Sequence, residues 1–299
     1  MRGEHETDLF NALALSQGVP ETSLADQLYT MWFTGWQPPA PPRGDAPGVV
    51  ARVRAAHHAS AAFATGWVAL ALDPTGGVIV SRGGEQRWLA PGDFVNRTRP
   101  AAPVRPGDLL SVTCRQDQAD EESGWWYTWS SEAGQPAPDT PLLRLYWHAQ
   151  VEGIMPIIAA ITAALEPMAL PYLLKCPVRQ ALFGRQDALV LYLPLDTWMT
   201  LKARLRQAHA GVAQWLASSV PPLTLRLGRG VAAAEDPGSS LSYGQSRTIA
   251  VAEGIRAIRS MVQPSHGQIL DQFALALRRH RIDPAHPYQH IGSLELAPW

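Results

Sequence analysis

LLRLYWHAQ, residues 142–150, decides how the chain is read. Leu143, Leu145 and Trp147 alternate with Arg144, Tyr146 and His148, the period of a strand with one apolar and one polar face. Outward from it toward the C-terminus, Ile154, Ile158, Ile161 and Leu165 recur at helical spacing. YLLKC (172–176) and DALVLYLP (187–194) read as a short strand and a buried strand. A long helix is expected over 197–218 with Asp196 or Thr197 as cap, then an irregular passage over 221–244. Two further helices follow at about 246–262 and 267–280.

Toward the N-terminus the pattern differs. Residues 5–33 predict two short helices broken at Pro20, and 49–64 predict an Ala-rich one. GWQPPAPPRGDAPG (35–48) between them reads as a stiff linker or surface loop. Turn signals at DPTGG (73–77) and RGGE (82–85) then separate β-rich runs, and LLSVTCR (109–115) and WWYTWS (125–130) are two more strand candidates. EAGQPAPDTP (132–141) marks a boundary between residues 1–140, helical and strand-rich, and 141–299. Periods of 2 and 3.6 in one chain mean α+β architecture.

Composition narrows the function. The 25 basic and 26 acidic residues leave a net charge of -1 on 299 residues, so no global field holds nucleic acid or an anionic membrane. No apolar stretch approaches the roughly 20 residues of a spanning helix, and the acidic start MRGEHETDLF does not resemble a secretory signal; a cytoplasmic protein is expected. Cys114 and Cys176 make neither a disulfide framework nor a metal set. His57–His58 and His286-x3-His290 lack the companions of a zinc site. Phosphate-binding and dinucleotide-binding glycine loops, a nucleophile elbow and kinase signatures are all missing. The run Trp125, Trp126, Tyr127, Trp129 reads more readily as a strand in its own core than as a stacking platform. Only Lys175 and Lys202 are lysine among the basic residues; the rest are arginine. A buried lysine loses its proton and an arginine does not, so these two positions invite a chemical reading.

LYWH (145–148), LPYLLKC (170–176), FGRQDALVLYLP (183–194), AAAEDP (232–237), SYGQSR (242–247) and VAEGI (251–255) together resemble the HopA-type effector family. Relatives of that family look like the lyase partners of class V lanthipeptide and thioamitide pathways. The order of His, Lys, Arg, Tyr and a late Arg is similar, more distantly, to the bacterial phosphothreonine lyases. These remove phosphate from phosphoserine or phosphothreonine by β-elimination and leave a dehydroamino acid. The resemblance implies a phosphothreonine-lyase-like catalytic region over 141–299, with the preceding region binding peptide or partner. By position it implies Lys175 as base, His148 as acid, Tyr192 as the strand tyrosine, and Arg185 and Arg247 as phosphate ligands. It implies no cofactor or metal, a phosphorylated precursor peptide as substrate, and a separate Ser/Thr kinase in trans. Relatives often carry His before the late Arg, where this chain has Ser246.

The residues alone allow plainer roles. Lys175 reads as a charge discouraging edge-strand pairing, Arg185 and Asp187 as a loop ion pair, and Tyr192 as core. A non-catalytic interaction protein or phosphopeptide-binding partner stands as the alternative function.

Overall fold

The computed structural model describes residues 3–35, 49–58, 63–113, 116–120, 122–179 and 182–299. Most of the Pro-rich stretch, the later part of the helix expected over 49–64, and Cys114 lie outside the described residues.

Helices open the chain: α1 (Gly3–Leu15), the single turn α2 (Leu24–Gln27), and α3 (Val49–Ala56). α2 widens without a break into a π turn over Leu28–Phe33, where the Thr34 N–H reaches back to the Tyr29 carbonyl at 2.9 Å. α3 ends at Ala56, short of the helix expected from alanine content, and a strand begins at Phe63.

Five strands then build an antiparallel sheet in the order β3-β2-β1-β5-β4. They are β1 (Phe63–Leu72), β2 (Val78–Arg82), β3 (Glu85–Leu89), β4 (Phe94–Asn96) and β5 (Leu109–Thr113). Both expected turns are present. The Asp73 carboxylate accepts the N–H groups of Thr75 and Gly77, and Gly83 and Gly84 supply the two positive φ angles, +58° and +87°, of a two-residue hairpin. This sheet has a core of its own around Trp67, Val80, Leu110 and Val112.

The second sheet positions the site. Its seven antiparallel strands run β11-β12-β8-β10-β9-β7-β6. They are β6 (Asp117–Asp120), β7 (Trp125–Trp129), β8 (Leu142–Trp147), β9 (Leu173–Pro177), β10 (Leu189–Pro194), β11 (Leu225–Gly228) and β12 (Val231–Glu235). Position 140, where the sequence reading divides the chain, falls between β7 and β8 of this one sheet. The passage expected to be irregular contains the hairpin β11–β12. It turns at Gly230, where φ is +63° and an added Cβ would stand 2.3 Å from the Ala217 carbonyl oxygen. Both strands are short, β11 ends in glycine, and β12 is built mostly from Ala rather than β-branched residues, so neither carries a strong strand signal.

Helices cover both faces. α4 (Ile154–Leu165) and α5 (Trp198–Val212) share the main core with Leu143, Leu145, Trp147, Leu174 and Leu191 from one face. Asp196 and Thr197 do not cap α5 by side chain; a 3₁₀ turn over Leu195–Thr197 leads in, and the Thr197 hydroxyl bonds back to Pro194. α5 also stops at Val212 and passes into a 3₁₀ turn over Ala213–Trp215. On the opposite face sits α6 (Tyr243–Arg259), which packs on α7 (His266–Arg279) with Gly254 giving clearance to Phe273. Ser242 with Gln245 and Ser265 with Gln268 form capping boxes, so α6 starts three residues before the expected position.

Candidate functional site

Registers across the seven-stranded sheet place its polar face in rows. Tyr127, Lys175, Val190, Tyr146 and Ala232 lie side by side, and so do Trp129, Leu173, Tyr192, Arg144 and Ala234. The alternation read from residues 142–150 is therefore present, with Arg144 and Tyr146 turned away from the α4–α5 core. β9 lies between β10 and β7, so Lys175 does not guard a sheet edge. Of the aromatic run on β7, Trp126 is wholly buried, while Trp125, Tyr127 and Trp129 are half-buried on the face that carries Lys175.

Lys175 has no hydrogen-bond or ion-pair partner among the described residues; its Nζ stands 3.8 Å from the centroid of the Trp125 ring. Burial pushes its pKa down to about 8, the cations Arg185 and Arg144 push the same way, and Asp187 opposes them. The Arg185 guanidinium faces the same indole at 5.6 Å. Arg185 donates twice to Asp187, at 2.7 and 2.8 Å, and once to the Tyr29 hydroxyl at 3.0 Å. On the next row Arg144 pairs with Asp236 and lies over the Tyr192 ring at 5.1 Å. Burial works against both guanidinium charges, and the facing carboxylates and phenols outweigh it. The Tyr192 phenol is pushed up to about 12 by burial, with Arg144 pulling down. Burial also raises Tyr146 well above the ordinary phenol value, with Arg144 pulling down.

Of the five residues expected from the sequence, Lys175, Arg185 and Tyr192 share this cluster. His148 lies one residue beyond β8, with its N–H bonded to Gly230 and its Nδ1 at 3.0 Å from the Ser219 hydroxyl. Burial lowers its pKa, while the Ser219 carbonyl and Asp187 oppose the change. Two strand spacings and two residues separate its Cα from that of Lys175, about 12 Å. Asp187 acts on both, raising the pKa of each. Arg247 reaches the cluster at one remove, through Tyr243, whose ring lies 6.0 Å from that of Tyr146. The arginine is 0% exposed, stacks 4.2 Å from the Tyr243 ring, and donates to the Pro287 carbonyl and the Ser246 hydroxyl. Arg247 is one helical turn beyond buried Tyr243 and so faces inward with it.

Sequence reading singled out no role at the cluster for Arg144, Asp236 or Tyr29. Arg144 was visible in the strand alternation. Tyr29 is 156 residues from Arg185 in sequence, and no local signal links them.

The arrangement offers an uncharged-capable amine beside two guanidinium groups, roofed by aromatic rings. Such a site suits a substrate with a proton to remove and an anionic oxygen to hold.

The HopA1 effector protein family matches residues 120–289, a span that includes the whole sheet cluster except Tyr29. Two solved structures share the fold. One is the effector protein from Pseudomonas syringae pv. tomato strain DC3000, at 12% identity and TM-score 0.56, covering 97% of this chain and 99% of that one. The other is the effector protein from Pseudomonas syringae pv. syringae strain 61, at 15% identity and TM-score 0.55, covering 96% of each. A search of curated proteins finds no match.

Proposed function

The chain belongs to the HopA1 effector protein family, and from that footing we propose that it is a carbon–oxygen lyase eliminating phosphate from phosphoserine or phosphothreonine. Its substrate is a ribosomal precursor peptide, phosphorylated by a separate kinase in trans. The observation that carries the reading is Lys175: a half-buried lysine with no ion-pair partner among the described residues, a pKa lowered to about 8, and arginine 185 over the same indole.

In this reaction the neutral Lys175 amine takes the Cα proton. The released electron pair forms the Cα=Cβ bond, and the Cβ–O bond breaks with its electrons going to the phosphate oxygen. A proton must reach that oxygen. His148 is the donor in this reading; its lowered pKa makes the imidazolium a stronger acid and a scarcer one at pH 7. Tyr192, protonated up to about pH 12, donates a hydrogen bond without changing charge. Arg185 holds phosphate through Nη1, the nitrogen that neither Asp187 nor Tyr29 engages.

The deciding experiment incubates the full chain with a phosphothreonine peptide and follows mass. Loss of phosphoric acid, abolished by Lys175→Ala to at least about a hundredfold, supports the lyase. Binding without mass loss supports a second reading, a non-catalytic phosphopeptide-binding protein. In either reading the phosphate competes with Asp187 and Asp236, which already pair with Arg185 and Arg144.

A further inference from the structure

We propose that Tyr29, on the N-terminal π turn, is a direct ligand of the substrate phosphate and the partner that aims Arg185 at it; this rests on the phosphopeptide reading above. Arg185 donates to the Tyr29 oxygen at 3.0 Å. The phenol therefore accepts with its lone pair and keeps its own proton, which has no acceptor among the described residues. An O–H whose oxygen already receives a bond from a guanidinium is a stronger donor. It sits beside the guanidinium that also faces Lys175's indole. An anion held by Arg185 meets that hydroxyl at once.

The fold holds Tyr29 there from several sides. Its ring stacks on Phe33 at 5.8 Å, and Phe33 meets Tyr146 of the site face edge-on at 6.2 Å. The Gln186 N–H donates to the Thr34 carbonyl at 2.8 Å, tying the end of the π turn to the loop that carries Arg185 and Asp187. Gly244 of α6 lets both rings in, because an added Cβ would lie 2.5 Å from Phe33 and 2.7 Å from Tyr29. A six-residue π turn advances its side chains differently from an α-helix, and here it delivers Tyr29 to the loop and Phe33 to the sheet together. The N-terminal helices are by this inference one wall of the site.

The test compares wild type and Tyr29→Phe as full chains, by calorimetry with a phosphothreonine peptide and its unphosphorylated twin, and by elimination kinetics. Phenylalanine keeps the stack on Phe33 and removes only the hydroxyl. The phosphopeptide should bind about tenfold more weakly to the variant, with KM rising more than kcat falls, while the unphosphorylated peptide and the thermal midpoint stay as they were. Equal phosphopeptide affinity, or an equal loss for both peptides together with a lowered midpoint, overturns the role. A wild-type chain that binds the phosphopeptide without eliminating overturns the lyase alone, and the affinity ratio then still judges Tyr29. A chain that binds neither peptide overturns both.

Discussion

The Lys175 ammonium lies 3.8 Å from the centre of the Trp125 ring, across the pair of neighbouring strands β9 and β7. Tyr127 is directly opposite Lys175 in register, so the lysine leans diagonally to reach the indole. The indole face favours the cation, and burial disfavours it. Lowering a lysine from 10.5 to about 8 corresponds to roughly 3 kcal/mol against the charged form, and a cation–π contact returns about 1–2 kcal/mol.

Lys175→Met should therefore stabilise the protein at pH 7 by about 1–2 kcal/mol. The sign follows from proton uptake. Between about pH 8 and 10.5 the unfolded chain binds the proton and the folded chain does not, so wild-type stability rises with pH across that window. The advantage of the variant should shrink there. Urea unfolding at pH 7 and pH 10 checks both statements; a less stable variant at pH 7 would mean that the indole contact outweighs desolvation.

Asp187→Asn should move the pH–rate profile of elimination toward acid. The carboxylate raises the Lys175 pKa, so its removal leaves the amine neutral at lower pH. It also takes the negative charge and one acceptor oxygen away from Arg185, and phosphopeptide affinity should rise. A profile that stays in place, measured as kcat/KM over pH 6 to 10, removes Asp187 from the base's surroundings.

Gly244→Ala should cost about 1–3 kcal/mol of stability, because its Cβ meets the rings of Phe33 and Tyr29 and neither ring has a flexible end to withdraw. Arg185 should lose its Tyr29 partner in the same step. Thermal unfolding reads the first effect and phosphopeptide binding the second. Gly211→Ala, with open space around it, serves as the control and should be silent or mildly stabilising.

The central strands and the helices of the C-terminal part were legible because their periods are long and clean. Arg144 with Tyr146 on one side and Leu143 with Leu145 on the other fix a strand face without help from distant residues. The β11–β12 hairpin was not legible: AAA carries no β preference, and what holds it is pairing with β8, 80-odd residues earlier. β6 was missed for a similar reason, since DQAD reads as a loop until β7 pairs with it. At the site, Lys175 and Tyr192, like Arg185 and His148, are what the resemblance implies from residue order; the strand pattern alone reads Tyr192 as core. Arg247 was placed by order along the chain, which carries no information about the inward turn that burial beside Tyr243 imposes.

β7 reaches the seven-stranded sheet from before residue 140 and pairs along the whole length of β9. A fragment beginning at residue 141 would strip that pairing away. Its β9 would become an open margin of unpaired N–H and C=O groups, an invitation to self-association. Lys175 would sit there in water, with an ordinary lysine's basicity and no indole beneath it. Activity assays on such a truncated piece would thus test a different chemical object, and a negative result from one would say nothing about the intact chain.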